Sequence, residues 1–239
     1  PMSALPRTLE PEVMDSEQEA GDYDAMDHGE VNARFCDDLL VAYAPRRPRR
    51  VLDVGTGTAL IAIALCQRSE AAGVEAIDLA RHMLERATAN VKRAGLEARI
   101  HLALGDAKAT RLTGGAYDTV MSNSLVHHIP QPTPVFEEMW RLVCTGGLLF
   151  VRDLARPRDE PHLAALAGLH APAPKGIDGA AGEVPDEAMQ ARQRGLFVDS
   201  LRAALTPQEV RAMIAPLGIP GGAVAMTSDR HWTLAYVRP

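Results

Sequence analysis

The stretch Val51-Leu52-Asp53-Val54-Gly55-Thr56-Gly57-Thr58 decides how this chain folds. Val51–Val54 reads as a short apolar strand. Ala59–Gln67 follows as a helix, with Leu60, Ile61, Ala64 and Leu65 on one stripe. Between them lie two glycines, which tolerate positive φ and let a ligand approach the backbone. The first turn of the helix offers unpaired N–H donors, and its field favours a carboxylate or phosphate. The junction is built to hold a small ligand.

Outward from this junction the pattern repeats. Val74–Ile77 is a strand ending at Asp78. Ala80–Ala94 is a helix with Met83, Leu84, Ala87 and Val91 at helical spacing, stopped by Gly95. Arg99–Leu104 is the third strand and ends at Gly105-Asp106. Tyr117–Ser122 is the fourth. Pro134–Val143 is a helix opened by its proline and closed by Gly146-Gly147, and Leu148–Arg152 is the fifth strand. Strands separated by such helices pair in parallel through right-handed crossovers. The expected fold is an α/β doubly wound, Rossmann-like sheet whose ligands lie beyond the carboxyl ends of the strands.

Past Asp153 the alternation stops. Residues 155–195 are rich in Ala, Pro and Gly and read as a partly helical insertion, a candidate lid. Thr206-Pro207-Gln208-Glu209 is a capping box opening a helix with Val210, Met213, Ile214 and Leu217 inward and Gly218 at its end. Ala223–Thr227 and Trp232–Val237 make an antiparallel hairpin through Ser228-Asp229-Arg230-His231, bringing the sheet to seven strands. That turn falls on the ligand edge. The segment 16–43 reads as helical, with Ser16 and Glu19 as a capping pair and a break at Gly29. The expected organisation is a helical cap over 1–45 and one domain over 46–239, with an insertion at about 155–205.

The chain has 239 residues, 46% apolar, and a formal net charge of −6. An acidic chain does not attract a polyanion, and 4% aromatics leave little for base stacking. No nucleic-acid partner is expected. Arg46-Arg47-Pro48-Arg49-Arg50 reads as a solvated lead into the first strand. Cys36, Cys66 and Cys144 have no CxxC spacing and read as reduced thiols, pointing to the cytoplasm. The acidic segment 1–19 has no apolar core of a signal peptide, and no apolar stretch approaches the ~20 residues of a membrane span.

Two ligand classes suit the glycine turn. A dinucleotide site would need a third glycine where Leu60 stands. An S-adenosylmethionine (SAM) site needs an acidic residue two positions before the first glycine, and Asp53 is there. Asp78, after the second strand, suits a pair of ribose hydroxyls. Asp106, after the third, suits an adenine amino group, with the Ala107 N–H toward the ring. Asn123 follows the fourth strand.

Over roughly residues 50–153 the chain resembles class I SAM-dependent methyltransferases. Val51–Thr58 resembles their first motif, Glu75–Met83 the ribose loop, Gly105-Asp106-Ala107 the adenine loop, and Tyr117–His128 the fourth-strand motif. Ser122-Asn123-Ser124-Leu125-Val126-His127-His128 is similar to the ubiquinone/menaquinone-type branch. Tyr23…Asp27…Asn32, Asp153–Pro157, Ser200–Ala204 and Ser228–His231 resemble a bacterial subfamily of unknown substrate. Ala59 departs from the third glycine of many members. The resemblance implies a cofactor site of Tyr23, Asp53, Gly55, Thr56, Gly57, Asp78, Leu79, Met83, Gly105, Asp106, Ala107, Asn123 and Ser124.

Methyl transfer is an in-line displacement at a sulfonium, so the protein supplies positioning and a dry site. A base is needed only when the acceptor is a hydroxyl or a protonated amine. His127 and His128, after the fourth strand, are the candidates. Asp153, Arg230 and His231 join them at the same edge, Arg230 as a clamp for an anionic acceptor. Arg152 reads as an outer-edge surface residue, and Tyr23, His28 and Asn32 as closing the cofactor pocket. Adjacent histidines can bind a metal, but no third ligand has suggestive spacing, and no metal site is expected. The resulting expectation is an enzyme, monomer or homodimer, that methylates a small molecule and releases S-adenosylhomocysteine. The competing readings are a methyltransferase of a macromolecule (protein or RNA), a non-catalytic SAM-binding module, and a nicotinamide-dependent oxidoreductase.

Overall fold

The computed structural model describes residues 5–10, 29–170 and 187–239. Its elements in chain order are α1 (Gly29–Tyr43), β1 (Arg50–Val54), α2 (Leu60–Arg68), β2 (Gly73–Asp78), α3 (Arg81–Arg93), β3 (Ile100–Leu104), β4 (Tyr117–Asn123), α4 (Thr133–Leu142), β5 (Val143–Leu154), α5 (Glu160–His170), α6 (Glu187–Ala203), α7 (Pro207–Ile214), β6 (Val224–Met226) and β7 (His231–Val237). The capping pair at Ser16 and Glu19 and the candidates Tyr23 and His28 lie outside the described residues.

The strands form one seven-stranded sheet in the order β3-β2-β1-β4-β5-β7-β6. The first five are parallel, and β7 runs antiparallel to both β5 and β6. The order reverses between β1 and β4, which places a ligand crevice beyond their carboxyl ends. Val51, Leu52 and Val54 of β1 are fully buried, as a central parallel strand covered by helices on both faces requires. One core, including Leu52, Phe136, Met139 and Trp232, lies on the face of α4 and α7. The other, including Phe35, Leu39, Leu65 and Phe150, lies on the face of α1 and α2.

The structure corrects the sequence reading in three places. β5 begins at Val143, directly after α4, and runs through Gly146 and Gly147 instead of starting at Leu148. Gly146 sits at φ +75°, and a Cβ on Gly147 would meet the carbonyl oxygen of Asp118 at 3.0 Å. These glycines accommodate the register shift between β4 and β5 at Tyr117/Thr119 and do not end a segment. The helix after the first glycine turn starts at Leu60, because Ala59 adopts φ +63°. Arg152 is not on the outer surface. Its side chain is buried, bonded to Asp38 at 2.6 Å and to Thr233 at 2.9 Å.

The insertion contributes α5 and α6, whose Leu163, Leu166 and Leu201 form a small satellite core with Leu154 and Leu5. The segment 5–10 is pinned alongside it. Arg7 donates to the carbonyl oxygens of Ala203, Pro130, His127 and Ile129.

Candidate functional site

One cavity lies at the carboxyl edge of the parallel strands, with the ends of β1, β2, β3 and β4 each contributing a wall. β1 and its turn supply Asp53 and Gly55 to Thr58. β2 supplies Asp78 and Leu79, with Met83 from α3. The loop after β3 supplies Gly105, Asp106 and Ala107. β4 and the turn after it supply Asn123, Ser124, Leu125, His128 and Ile129. Every described residue of the expected cofactor set therefore lines this one cavity. Asn32 of α1 closes it from the other side.

The turn is shaped by local backbone. Gly55, Gly57 and Ala59 all adopt left-handed φ, at +73°, +55° and +63°. A Cβ on Gly55 would lie 2.8 Å from the Leu125 side chain, so glycine there keeps the floor open. No side chain caps the start of α2, which leaves its first amides available to an anion. Asp78 is oriented by two amides: Gly57 N–H donates to one oxygen at 2.8 Å and Ala80 N–H to the other at 2.8 Å. Burial raises Asp78 above the usual carboxylate range, against those two amide bonds. Asp53 is buried and accepts from the Thr56 hydroxyl at 2.7 Å. Burial pushes it up to about 7, and no cation is among the causes that offset this.

These features fit SAM group by group. The open helix start suits the cofactor's carboxylate, and Asp53 its ammonium. Asp78 suits the ribose hydroxyls and Asp106 the adenine amino group. Leu79, Met83 and Ile129 supply apolar surface for a purine.

The expected catalytic residues separate. His128 lines the cavity; His127, Asp153, Arg230 and His231 do not. His127 is 3% exposed, with Nδ1 2.5 Å from Oδ1 of the buried Asp153. The other Asp153 oxygen accepts from the backbone N–H of Val126 at 2.6 Å. Burial opposes charge on His127, yet Asp153 outweighs it and raises the imidazole above its ordinary value. Asp153 thus positions the turn after β4. His231 is the first residue of β7 and lies opposite Leu154, so the hairpin turn does fall at the carboxyl edge. Its Nδ1 is 2.9 Å from the Ser228 hydroxyl, and burial depresses it to about 4. Arg230 faces Asp229, which is paired in turn with His170. Sequence reading missed Ile61, Leu125 and Ile129, because an apolar residue reads the same whether it faces a core or a cavity.

The seven-stranded sheet and its strand order are those of the class I methyltransferase fold. The family described as "Methyltransferase domain" matches residues 51–147, and the chain has the fold of class I SAM-dependent methyltransferases. A phosphatidylethanolamine N-methyltransferase of Cereibacter sphaeroides is 36% identical over 52% of this chain and 60% of its own length. A ubiquinone/menaquinone biosynthesis C-methyltransferase of Dinoroseobacter shibae is 26% identical over 57% of this chain and 56% of its own. The chain thus matches little more than half the length of these relatives. Among solved structures, a SAM-dependent methyltransferase from Aquifex aeolicus superposes with a TM-score of 0.63 at 18% identity, covering 92% of this chain and 97% of that one. An O-methyltransferase family protein from Burkholderia thailandensis reaches 0.67 at 19%, covering 93% and 59%.

Proposed function

We propose that the protein binds SAM in the central cavity and methylates a small molecule, releasing S-adenosylhomocysteine. The observation that carries this reading is the convergence of Asp53, Asp78 and Asp106 with an uncapped helix start on one cavity. SAM brings the electrophilic methyl group, so the chain's own residues bind, orient and exclude water. Asp78 and the Gly55–Thr58 turn hold the cofactor, and Asn123, Ser124 and Leu125 form the floor. Among the described residues, His128 is the histidine of the cavity wall able to take a proton from an acceptor. The relatives named above act on a phospholipid and on quinone precursors, which favours a low-molecular-weight acceptor.

Residues 46–239 act as the methyltransferase domain in this reading, with 1–45 as its cap. No helix among the described residues is long and apolar enough to cross a membrane. We place the enzyme in the cytoplasm, with no nucleic-acid partner.

Titration with SAM by calorimetry tests the cofactor. A single site is expected in the native chain. Asp78→Asn should weaken it by about 10- to 100-fold, the loss of hydrogen bonds to a charged group. Unchanged affinity removes the ribose assignment. A screen of small acceptors, read as S-adenosylhomocysteine release, tests catalysis. SAM binding without turnover on any acceptor, or turnover on protein or RNA alone, would favour the competing readings.

A further inference from the structure

Beside the cavity, three metal-type ligands converge from distant parts of the chain, one of them, His128, shared with the cavity wall. Oε1 of Glu10 lies 3.0 Å from Nδ1 of His128 and 3.4 Å from Nε2 of His127, and all three atoms fall within 4.8 Å of one another. The Glu10 side chain is 10% exposed and that of His127 3%.

We propose that Glu10, His127 and His128 form a binding site for one divalent ion of the zinc class. Zinc bonds of about 2.0–2.1 Å in a tetrahedral arrangement put neighbouring ligand atoms about 3.3 Å apart, which the two Glu10 separations bracket. Imidazole nitrogens with one carboxylate oxygen suit zinc and its neighbours in the first transition row, not magnesium or calcium.

The hydrogen bonding of the cluster separates this reading from a simple ion pair. Among the described residues, Oε1 of Glu10 and Nδ1 of His128 are both buried without a hydrogen-bond partner, despite lying 3.0 Å apart. An ion pair would align the imidazole N–H with the carboxylate. Two buried polar atoms that approach without aligning are costly unless a third species satisfies both. The imidazole of His127 is already fixed from behind, with Nδ1 held by Asp153 and Nε2 left facing Glu10. A carboxylate behind a histidine is the usual outer support of a metal-bound imidazole. Nearby Arg7 spends its donors on four carbonyl oxygens, and the Ser200 hydroxyl donates to Oε2 of Glu10 at 3.3 Å, which leaves Oε1 to the histidines.

An ion held here would fasten the segment 5–10 to the turn after β4. It would also lie against the cavity, because His128 belongs to both; with Nδ1 on the ion, Nε2 carries the N–H of the ring, so the ion and the proton-accepting role of His128 exclude one another.

The test uses the full chain after treatment with a chelator and its removal. Zn2+ is titrated against a chromophoric competitor, and Co2+ is added separately to read its visible d–d bands. One equivalent per chain and cobalt bands of tetrahedral type are expected. Glu10→Gln and His128→Gln should each weaken zinc at least 10-fold and abolish the cobalt bands, with far-UV circular dichroism unchanged. If His128→Gln fails to fold, Glu10→Gln carries the comparison. Absence of a stoichiometric site, or stoichiometric binding that neither substitution weakens, overturns the proposal.

Discussion

Asp53 shows what a binding site costs before its ligand arrives. Its carboxyl is enclosed and pushed up to about 7, so the folded chain holds a proton there that the unfolded chain releases near the ordinary value of 3.8. Stability from this group is therefore complete below about pH 4 and lost as pH rises through 7. The interval of about three pKa units corresponds to at most about 4 kcal/mol. Asp53→Asn should raise the urea midpoint of the ligand-free protein at pH 8, and the gain should vanish at pH 4. A gain that persists at pH 4 would assign the effect to something other than ionisation. Gly55 makes the complementary point. Gly55→Ala places a methyl against Leu125 and strains a left-handed residue, together about 1–2 kcal/mol. Weakened SAM binding is expected, and Leu125→Ala in the same chain should restore part of it. No recovery would place the damage in the backbone alone.

At the scale of elements, local chemistry wrote some boundaries and long-range pairing wrote others. The start of α7 was legible because the capping box is a local device. Thr206 accepts from the Glu209 N–H at 3.2 Å, and Glu209 accepts from the Thr206 N–H at 2.7 Å. Thr206→Ala should lower the unfolding free energy by about 1 kcal/mol in a urea titration with an unchanged slope. A change below a few tenths would mean that the Glu209–Arg156 contact holds the helix start unaided. The start of β5 was not legible. Its glycines carry a register shift imposed by β4, and nothing within the segment itself announces that demand. Ala59 hid its left-handed φ for the same reason, since alanine has no preference for it.

Across the whole molecule, the strand-end residues that line the cavity were readable as a group, and the division of the histidines was not. Each parallel strand delivers its last residue to one edge, so Asp53, Asp78 and Asp106 could be assigned a shared cavity from their positions alone. His127 and His128 could not be divided that way. Their rings lie side by side, with centroids 4.1 Å apart, and only the tertiary structure buries His127 against Asp153 and leaves His128 on the cavity wall. Glu10 was invisible, because it reaches the turn across more than a hundred residues of chain with no sequence spacing to mark it. Arg7 anchors that approach. Arg7→Ala should leave four carbonyl oxygens without their donor and speed proteolytic loss of the N-terminal segment several-fold relative to the native chain. Equal rates of cleavage would show that the satellite core around Leu5 is sufficient.

The placement of β7 between β5 and β6 also sets an order of assembly. As the chain leaves the ribosome, β6 emerges before β7, the strand it pairs with. Until β7 follows, the backbone donors and acceptors along the outer side of β5 from Leu148 to Leu154 stay open, offering nascent neighbours a template for intermolecular pairing. A ribosome that stalls within the final hairpin would thus release a chain whose five parallel strands are complete and whose longest one is adhesive.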